Sequence, residues 1–359
     1  MAAVNWLGSI GKLLFGMLAV FSATACTSAG KGAADARKAA LEAQVKGHVI
    51  RRQVFWDEQL AKPLVKRVGP APAALIDFLH LDNELQGWQN RPRAFAPDAA
   101  LARDLESALV TMPPEIRRIL ERKLAGVYLV EDLGGSGYTD SVVDAAGAET
   151  RGFIVLDATV LSRRANEWAT FKESSPYASS PAHAIEMEIE DDEGDTRVGA
   201  LRYILMHEAG HVIQIGRPEI PSFVKDLPKD FEAHAFAELS WKVADGHPVS
   251  IFPSLSETRR KLIHYYAPAD KKLPITSAKD DYERLLATNL PSPYAATNLY
   301  DDFAESVVTY AHAKLLKKPW VLRVLDHGES VFELKPCWGQ PRCAEKEEML
   351  SEILKDEAE

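Results

Sequence analysis

The chain has 359 residues, with 42 Lys and Arg against 52 Asp and Glu, which gives a formal net charge of −10. This length suits one large domain or two modest ones, and an apolar content of 46% excludes a wholly disordered chain. Because no basic excess is present to neutralise phosphates, the composition argues against a nucleic-acid-binding surface.

Residues 13–25 are the first apolar segment, and they end in Ala23-Thr24-Ala25 directly before Cys26. Thirteen residues are too few to span a bilayer, but they suit the apolar part of a signal peptide with a small-residue exit. The segment also resembles a bacterial lipoprotein signal, which implies a lipid on Cys26. We therefore expect residues 1–25 to be a signal peptide. The alternative is an amphipathic N-terminal helix kept on the mature protein.

Hydrophobic periodicity predicts an α+β fold that is helix-rich, with a small mixed sheet. Pro113-Pro114 open a helix over 113–124. The β-branched segments 126–132 and 152–161 follow as strands, and the Gly-rich turns between them predict hairpins. The predicted organisation is a signal peptide (1–25), an N-terminal helical region (26–112), a subdomain with the sheet (113–215), a helical subdomain (216–320) and a C-terminal tail (321–359).

Residues 186–195 carry seven carboxylates in ten positions. A calcium loop is conceivable, but the spacing of an EF-hand is absent. We therefore expect a solvated acidic loop.

The helical segment 197–214 contains the run His207-Glu208-Ala209-Gly210-His211. Two histidines at i and i+4 project from one helix face, so both imidazoles can reach one metal ion of tetrahedral preference. Glu208 lies beside them, where it can take the proton of a water molecule. Asp195 or Thr196 can cap the helix start. The alternative, a surface helix with unrelated histidines, is rare because chance gives this spacing in about one such chain in fifty.

A catalytic zinc site usually has three protein ligands, so a third is expected downstream. Segment 230–241 offers Glu232, and segment 300–312 offers Asp301 and Glu305, one turn apart on one face. Paired carboxylates allow one ligand and one acceptor that orients a ligand histidine. We therefore prefer the second segment, with Glu232 as the alternative.

The stretch from Tyr294 to Glu305 resembles the corresponding segment of the anthrax lethal factor-like zinc peptidases and of other bacterial gluzincin-type proteins with an E-x-F-A-E helix. The resemblance covers this segment and the H-E-x-x-H run. It implies that Asp301 binds zinc, that Glu305 orients a ligand histidine and that Tyr294 assists the transition state. This chain has Asp where the pattern has Glu. Either the helix therefore sits closer to the metal, or Glu305 takes over as the ligand.

A zincin-like fold, with the sheet next to the H-E-x-x-H helix, fits this arrangement. Helix 113–124 would support the sheet from behind. Strand 152–161 is then either the edge strand to which an extended peptide adds, or a buried central strand.

Cys337 and Cys343 flank a loop in which Gly339 and Pro341 favour a tight turn. In an oxidising compartment such a pair is expected to form a disulfide, and the alternative is two unrelated buried thiols. A metal site would need more ligands than this pair offers.

The sequence thus predicts an exported zinc metallopeptidase, either periplasmic or a membrane-anchored lipoprotein. His207, His211 and a carboxylate would hold Zn²⁺, Glu208 would be the general base, and Tyr294 would hydrogen-bond the oxyanion. The expected partner is a peptide or protein substrate. No nucleic acid is expected, and the membrane is contacted only through a lipid on Cys26.

Two other functions remain open. The first is a non-catalytic, zinc-stabilised, exported binding lipoprotein, which a closed four-ligand site including Glu232 or His234 would favour. The second is a hydrolase of non-peptide substrates on the same scaffold.

Overall fold

A computed structural model describes residues 28–222, 227–228, 230–266 and 268–356. The predicted signal peptide (1–25) and Cys26 lie outside the described residues. The α-helices described are α1 (Ser28–Gly47), α2 (Gln53–Leu60), α3 (Ala73–Gln86), α4 (Ala99–Val110), α5 (Pro114–Lys123), α6 (Ala165–Ser174), α7 (Arg197–Gln214), α8 (Ala235–Glu238), α9 (Glu257–Arg260), α10 (Ala278–Glu283), α11 (Leu299–Tyr310) and α12 (Ala344–Asp356). None of these described helices is both long and apolar enough to cross a membrane.

The β-strands are short and fall into small sheets, so the fold is α+β as predicted. The strands described are β1 (Val68–Pro70), β2 (Arg93–Ala94), β3 (Leu124–Glu131), β4 (Gly137–Val143), β5 (Glu149–Asp157), β6 (Tyr177–Ala178), β7 (His183–Glu188), β8 (Trp241–Ala244), β9 (His247–Ser250), β10 (Leu273–Pro274), β11 (Val321–Asp326) and β12 (Glu329–Leu334).

The main sheet is mixed, with strand order β1-β3-β5-β4 and with β2 paired to β3. Strands β1, β3 and β5 run parallel, whereas β4 runs antiparallel to β5. Of the predicted hairpins in this region, only β4–β5 forms, because β5 lies between β3 and β4. Strand β5 is therefore central, and β4 takes the edge position considered for segment 152–161.

Strand β5 also ends earlier than predicted, at Asp157. The Asp157 carboxylate accepts hydrogen bonds from the backbone N–H groups of Leu133 and Thr159. This side chain closes a single 3₁₀ turn over Ala158–Val160, so the apolar run from 158 to 161 leaves the sheet.

The N-terminal helices are an integral part of the fold, and they bury one face of the main sheet. Trp56 and Phe78 are buried in a hydrophobic cluster with Tyr128, Val142 and Phe153 of the sheet. The Trp56 ring stacks on Phe153 with 5.5 Å between ring centroids. Helices α4, α5 and α7 contribute to a second hydrophobic core on the opposite face of the sheet. This core contains the residues of β3 and β5 that point away from Trp56 and Phe78. Region 26–112, predicted as helical, also supplies β1 and β2.

The described part of the predicted tail (321–359) packs against the rest of the chain through a strand and a helix. Strand β11 pairs antiparallel with β7, and Lys346 of α12 makes a fully buried ion pair with Asp302 of α11. The sulfur atoms of Cys337 and Cys343 lie at disulfide-bonding distance, with Cα atoms 5.7 Å apart, as predicted.

The acidic run is the predicted solvated loop only in part. Its first residues belong to β7, and Glu190 is 1% exposed. Glu190 forms ion pairs with Arg202 and Lys318, which compensate the burial of its charge. Positions 186 and 191–193 of the run are exposed.

Candidate metal centre

Helix α7 carries the H-E-x-x-H run through the middle of the core. Its start is capped as predicted, because the Thr196 hydroxyl accepts the N–H of Gly199 at 3.2 Å. Glu208 is 5% and His211 3% exposed, among apolar neighbours on the same helix. Burial of such polar groups is costly unless they have partners, so their surroundings decide what the run can do.

Helix α11 supplies Asp301, and the local sequence aims its carboxylate. Asn298 caps the helix, and its Oδ1 accepts the backbone N–H groups of Tyr300 and Asp301. The Asn298 amide and the Thr297 hydroxyl both donate to Oδ2 of Asp301, at 2.6 and 2.8 Å. Oδ1 of Asp301 remains directed toward α7.

His207, His211 and Asp301 converge on one point. Oδ1 of Asp301 lies 3.8 Å from Nε2 of His207 and 3.5 Å from Nε2 of His211. Ligands of a tetrahedral ion with bonds of about 2.0–2.2 Å lie roughly 3.3–3.6 Å apart. Among the described residues, these three form the group of His, Cys, Asp or Glu side chains that fits one ion, with ligand atoms within 4.8 Å of one another.

Glu305 lies on the other side of the His207 ring and is outside this group. Its Oε1 is 2.9 Å from Nδ1 of His207, and its Oε2 accepts the Ser292 hydroxyl at 2.5 Å. Burial opposes ionisation of Glu305, but the charge of Lys172 and the contact with His207 outweigh burial and hold its pKa below the usual range. Asp301 therefore belongs to the group that could share one ion with the histidines, whereas Glu305 contacts His207 at its other ring nitrogen.

The short side chain of Asp301 reaches the histidines because α7 and α11 pack very closely. Gly210 faces Ala304 where the two helices meet. A Cβ atom at position 210 would lie only 2.6 Å from Cα of Ala304, so any larger residue would force the helices apart. Such close packing is compatible with an Asp, in place of the longer Glu, at position 301.

A residue of the edge strand β4 holds the Glu208 carboxylate in place. Thr139 of β4 donates its hydroxyl to Oε2 of Glu208 at 2.6 Å. Gly137 leaves the space that the carboxylate occupies, because a Cβ atom there would overlap Oε1 of Glu208. The carboxylate is thereby fixed next to the two histidines.

A cavity of about 50 Å³ lies against the ligand group. Tyr294 lines it, with its ring centroid 5.6 Å from that of His207. Removal from water raises the pKa of Tyr294 well above its usual value, so the phenol stays protonated and can donate a hydrogen bond. The hydroxyl groups of Tyr266 and Ser136, which also line the cavity, are 2.9 Å apart.

The charges of the site favour a cation. Four buried carboxylates lie at or next to the cavity. Three of them line it, and Glu173 is an ion-pair partner of Lys172, the one buried lysine in contact with these carboxylates in the described ranges. The four are Glu173, Glu208, Asp301 and Glu305. A dication between Asp301 and the histidines would offset part of this negative charge.

Glu232 and His234, the alternative ligands, are not part of the ligand group. Glu232 is exposed, and Nδ1 of His234 lies 2.7 Å from the carbonyl oxygen of Pro218. The sequence reasoning missed Thr139 and Lys172, which no local motif marks. Asn298 could have been identified, since an Asn before an apolar helical run is a typical N-cap.

No protein-family model, curated protein or solved structure matches this chain. The comparisons therefore assign no family. Any functional conclusion has to rest on the geometry and chemistry of the centre.

Proposed function

We propose that the chain is a zinc-dependent metallopeptidase with a zincin-like architecture. The observation that carries the proposal is the convergence of His207, His211 and Asp301 beside Glu208. Two neutral imidazoles and one carboxylate are a common ligand set of catalytic zinc, and three protein ligands leave a position open. A base next to an open position serves catalysis and has no use in a closed structural site.

A zinc ion bound there would supply a Lewis acid that polarises the scissile carbonyl and acidifies a water molecule. Glu208 takes the proton of that water and passes it to the leaving amine. The hydrogen bond from Thr139 orients the Glu208 carboxylate for this transfer. Tyr294 donates a hydrogen bond to the oxyanion that develops on the carbonyl oxygen.

Strand β4 supports a peptide as the substrate. It is the edge strand of the main sheet, and it carries Thr139 next to the base. An extended peptide can add to such an edge by backbone hydrogen bonds. A bridge between Val143 and Arg52 occupies the far end of β4, and residues 139–142 are buried, so only the start of the strand, at Gly137 and Tyr138, is partly exposed for such pairing. A mixed sheet with an antiparallel edge strand beside the metal helix also agrees with the zincin-like interpretation.

We further infer that the protein is exported. The apolar segment before Cys26 and the Cys337–Cys343 pair both fit an oxidising compartment outside the cytoplasm. Cell fractionation, with and without the Cys26→Ser substitution, tests whether a lipid on Cys26 holds the protein at a membrane.

Metal analysis of the purified protein tests the centre, and a peptide-library cleavage assay tests the activity. We expect near-stoichiometric zinc in the wild type and in Glu208→Gln, and its loss in His207→Ala. His234→Ala is the matched control, because that histidine lies outside the ligand group, and it should retain zinc.

Glu208→Gln separates binding from catalysis. It removes the base but preserves shape, so turnover should fall at least about a hundredfold while zinc stays bound. Retained turnover in Glu208→Gln would contradict the mechanism. A wild type that takes up no zinc, even when zinc is added back, would contradict the proposed function itself.

A further inference from the structure

Lys172 is buried beside the metal centre, which is an unusual position for a lysine. It lies on α6 and is 6% exposed. Its Nζ is 3.0 Å from Oε1 of Glu305 and 3.4 Å from Oε1 of Glu173. The same ammonium group lies 4.4 Å from the ring centroid of Tyr294. Burial of a lysine is costly, so this one is retained only because its charge is fully compensated.

Lys172, Glu305 and His207 form a continuous chain of contacts. Oε1 of Glu305 is shared by the two groups, at 3.0 Å from Nζ of Lys172 and 2.9 Å from Nδ1 of His207. Oε2 of Glu305 accepts a hydrogen bond from the hydroxyl of Ser292. Both carboxylate oxygens are thus held, and the carboxylate has one orientation.

A histidine that binds a metal through one nitrogen commonly donates its other N–H to a carboxylate, which fixes the tautomer. A proton on Nδ1 of His207, which lies 2.9 Å from Oε1 of Glu305, leaves the lone pair of Nε2 available on the side of Asp301 and His211. That is the nitrogen that lies 3.8 Å from Oδ1 of Asp301. The orientation of Glu305 therefore determines whether His207 can act as a ligand.

We propose that Lys172 is a positioning residue of the metal centre. It holds the Glu305 carboxylate against His207, and its ammonium group packs on the face of the Tyr294 ring. This inference rests on the proposed function. Without the lysine, the carboxylates of Glu305 and Glu173 would lie in the core with no cation between them. Their repulsion would turn Glu305 away from His207.

A double-mutant cycle on zinc affinity tests this role without any activity assay. The dissociation constant for zinc would be measured by competition with a chromophoric chelator for the wild type, Lys172→Met, Glu305→Gln and the double variant. Each single substitution should weaken zinc binding about 10–100-fold, the range typical of residues that orient metal ligands. If Lys172 acts through Glu305, the dissociation constant of the double variant for zinc should be no higher than the higher of the two single-variant values.

Lys279→Met is the matched control. Lys279 is an ion-paired lysine on α10 whose partner is the exposed Glu283. Its replacement should leave zinc affinity unchanged. If Lys172→Met does not fold, the variant Lys172→Met with Glu173→Gln removes the repulsion between the two carboxylates and should fold. Because Glu305 has still lost the ammonium group that holds its Oε1, the zinc affinity of this variant should remain below that of the wild type.

Wild-type zinc affinity in a folded Lys172→Met protein would overturn the inference. Additive losses in the double variant would also overturn it, because they would show that Lys172 and Glu305 act independently. A wild type that binds no zinc would remove the proposed function together with this inference. Zinc binding that is insensitive to Lys172 would remove the inference alone.

Discussion

Replacing Gly210 with alanine tests whether the close packing of α7 on α11 brings Asp301 to the histidines. The new Cβ atom would lie 2.6 Å from Cα of Ala304, whereas ordinary contact begins at 3.4 Å. The neighbour is backbone and cannot rotate away. The two helices therefore have to separate by about 0.8 Å at this point, which is well beyond the roughly 0.2 Å by which metal–ligand distances vary.

The separation should have two measurable effects. Oδ1 of Asp301 would retreat from the histidines, so we expect the zinc affinity of Gly210→Ala to fall at least about tenfold. Overpacking of the core should also lower the free energy of unfolding by about 1–3 kcal/mol. Chelator competition measures the first quantity, and denaturant unfolding of the metal-free protein measures the second.

Two further variants make the Gly210 test specific. Gly69→Ala is the matched control, since no heavy atom lies within 4 Å of a Cβ there, and it should change neither quantity. Adding Asp301→Glu to Gly210→Ala should recover part of the zinc affinity, because the longer side chain spans the added gap. A folded Gly210→Ala protein with wild-type affinity would refute the reasoning.

Three other predictions follow from single contacts. Gly137→Ala should displace the Glu208 carboxylate and reduce turnover about a hundredfold or more with zinc retained; loss of zinc would contradict this. Tyr266→Phe removes the hydrogen bond to Ser136 beside the cavity, so the free energy of unfolding measured with urea should fall by about 0.5–1.5 kcal/mol. An unchanged free energy of unfolding would contradict this prediction. Burial lowers the pKa of His312 to about 4 from its usual 6.5. Between pH 4 and pH 6.5 the unfolded chain therefore binds a proton at His312 that the folded protein does not bind. Stability should therefore fall by up to about 3 kcal/mol as the pH drops from 6.5 to 4, and urea unfolding of His312→Gln should lack this part of the pH dependence.

Much of the candidate site could be read from short segments. The spacing of His207 and His211 places both on one helix face, and the same rule places Asp301 and Glu305 together on another. Asn298 and Thr196 mark the starts of the two helices for similarly local reasons. These features follow from a helical period of 3.6 residues, which acts within one element and requires no tertiary structure.

The strand order was less predictable. The segments that became β3 and β5 were identified, but their pairing was expected to follow the chain as hairpins. The structure places β5 between β3 and β4, and a single carboxylate, Asp157, ends β5. Strand composition shows where a strand is and leaves open which neighbour it pairs with, since every strand presents the same backbone donors and acceptors.

The sequence by itself determined that two histidines, a base and a pair of carboxylates lie on two helices. Only the tertiary structure decided that Asp301 faces the histidines while Glu305 lies behind one of them. That choice depends on the helix crossing at Gly210, which no local pattern encodes. It depends also on Lys172, which is 133 residues from Glu305 in the chain. A helical period specifies the face on which a side chain lies, whereas close packing between distant segments decides what that face meets.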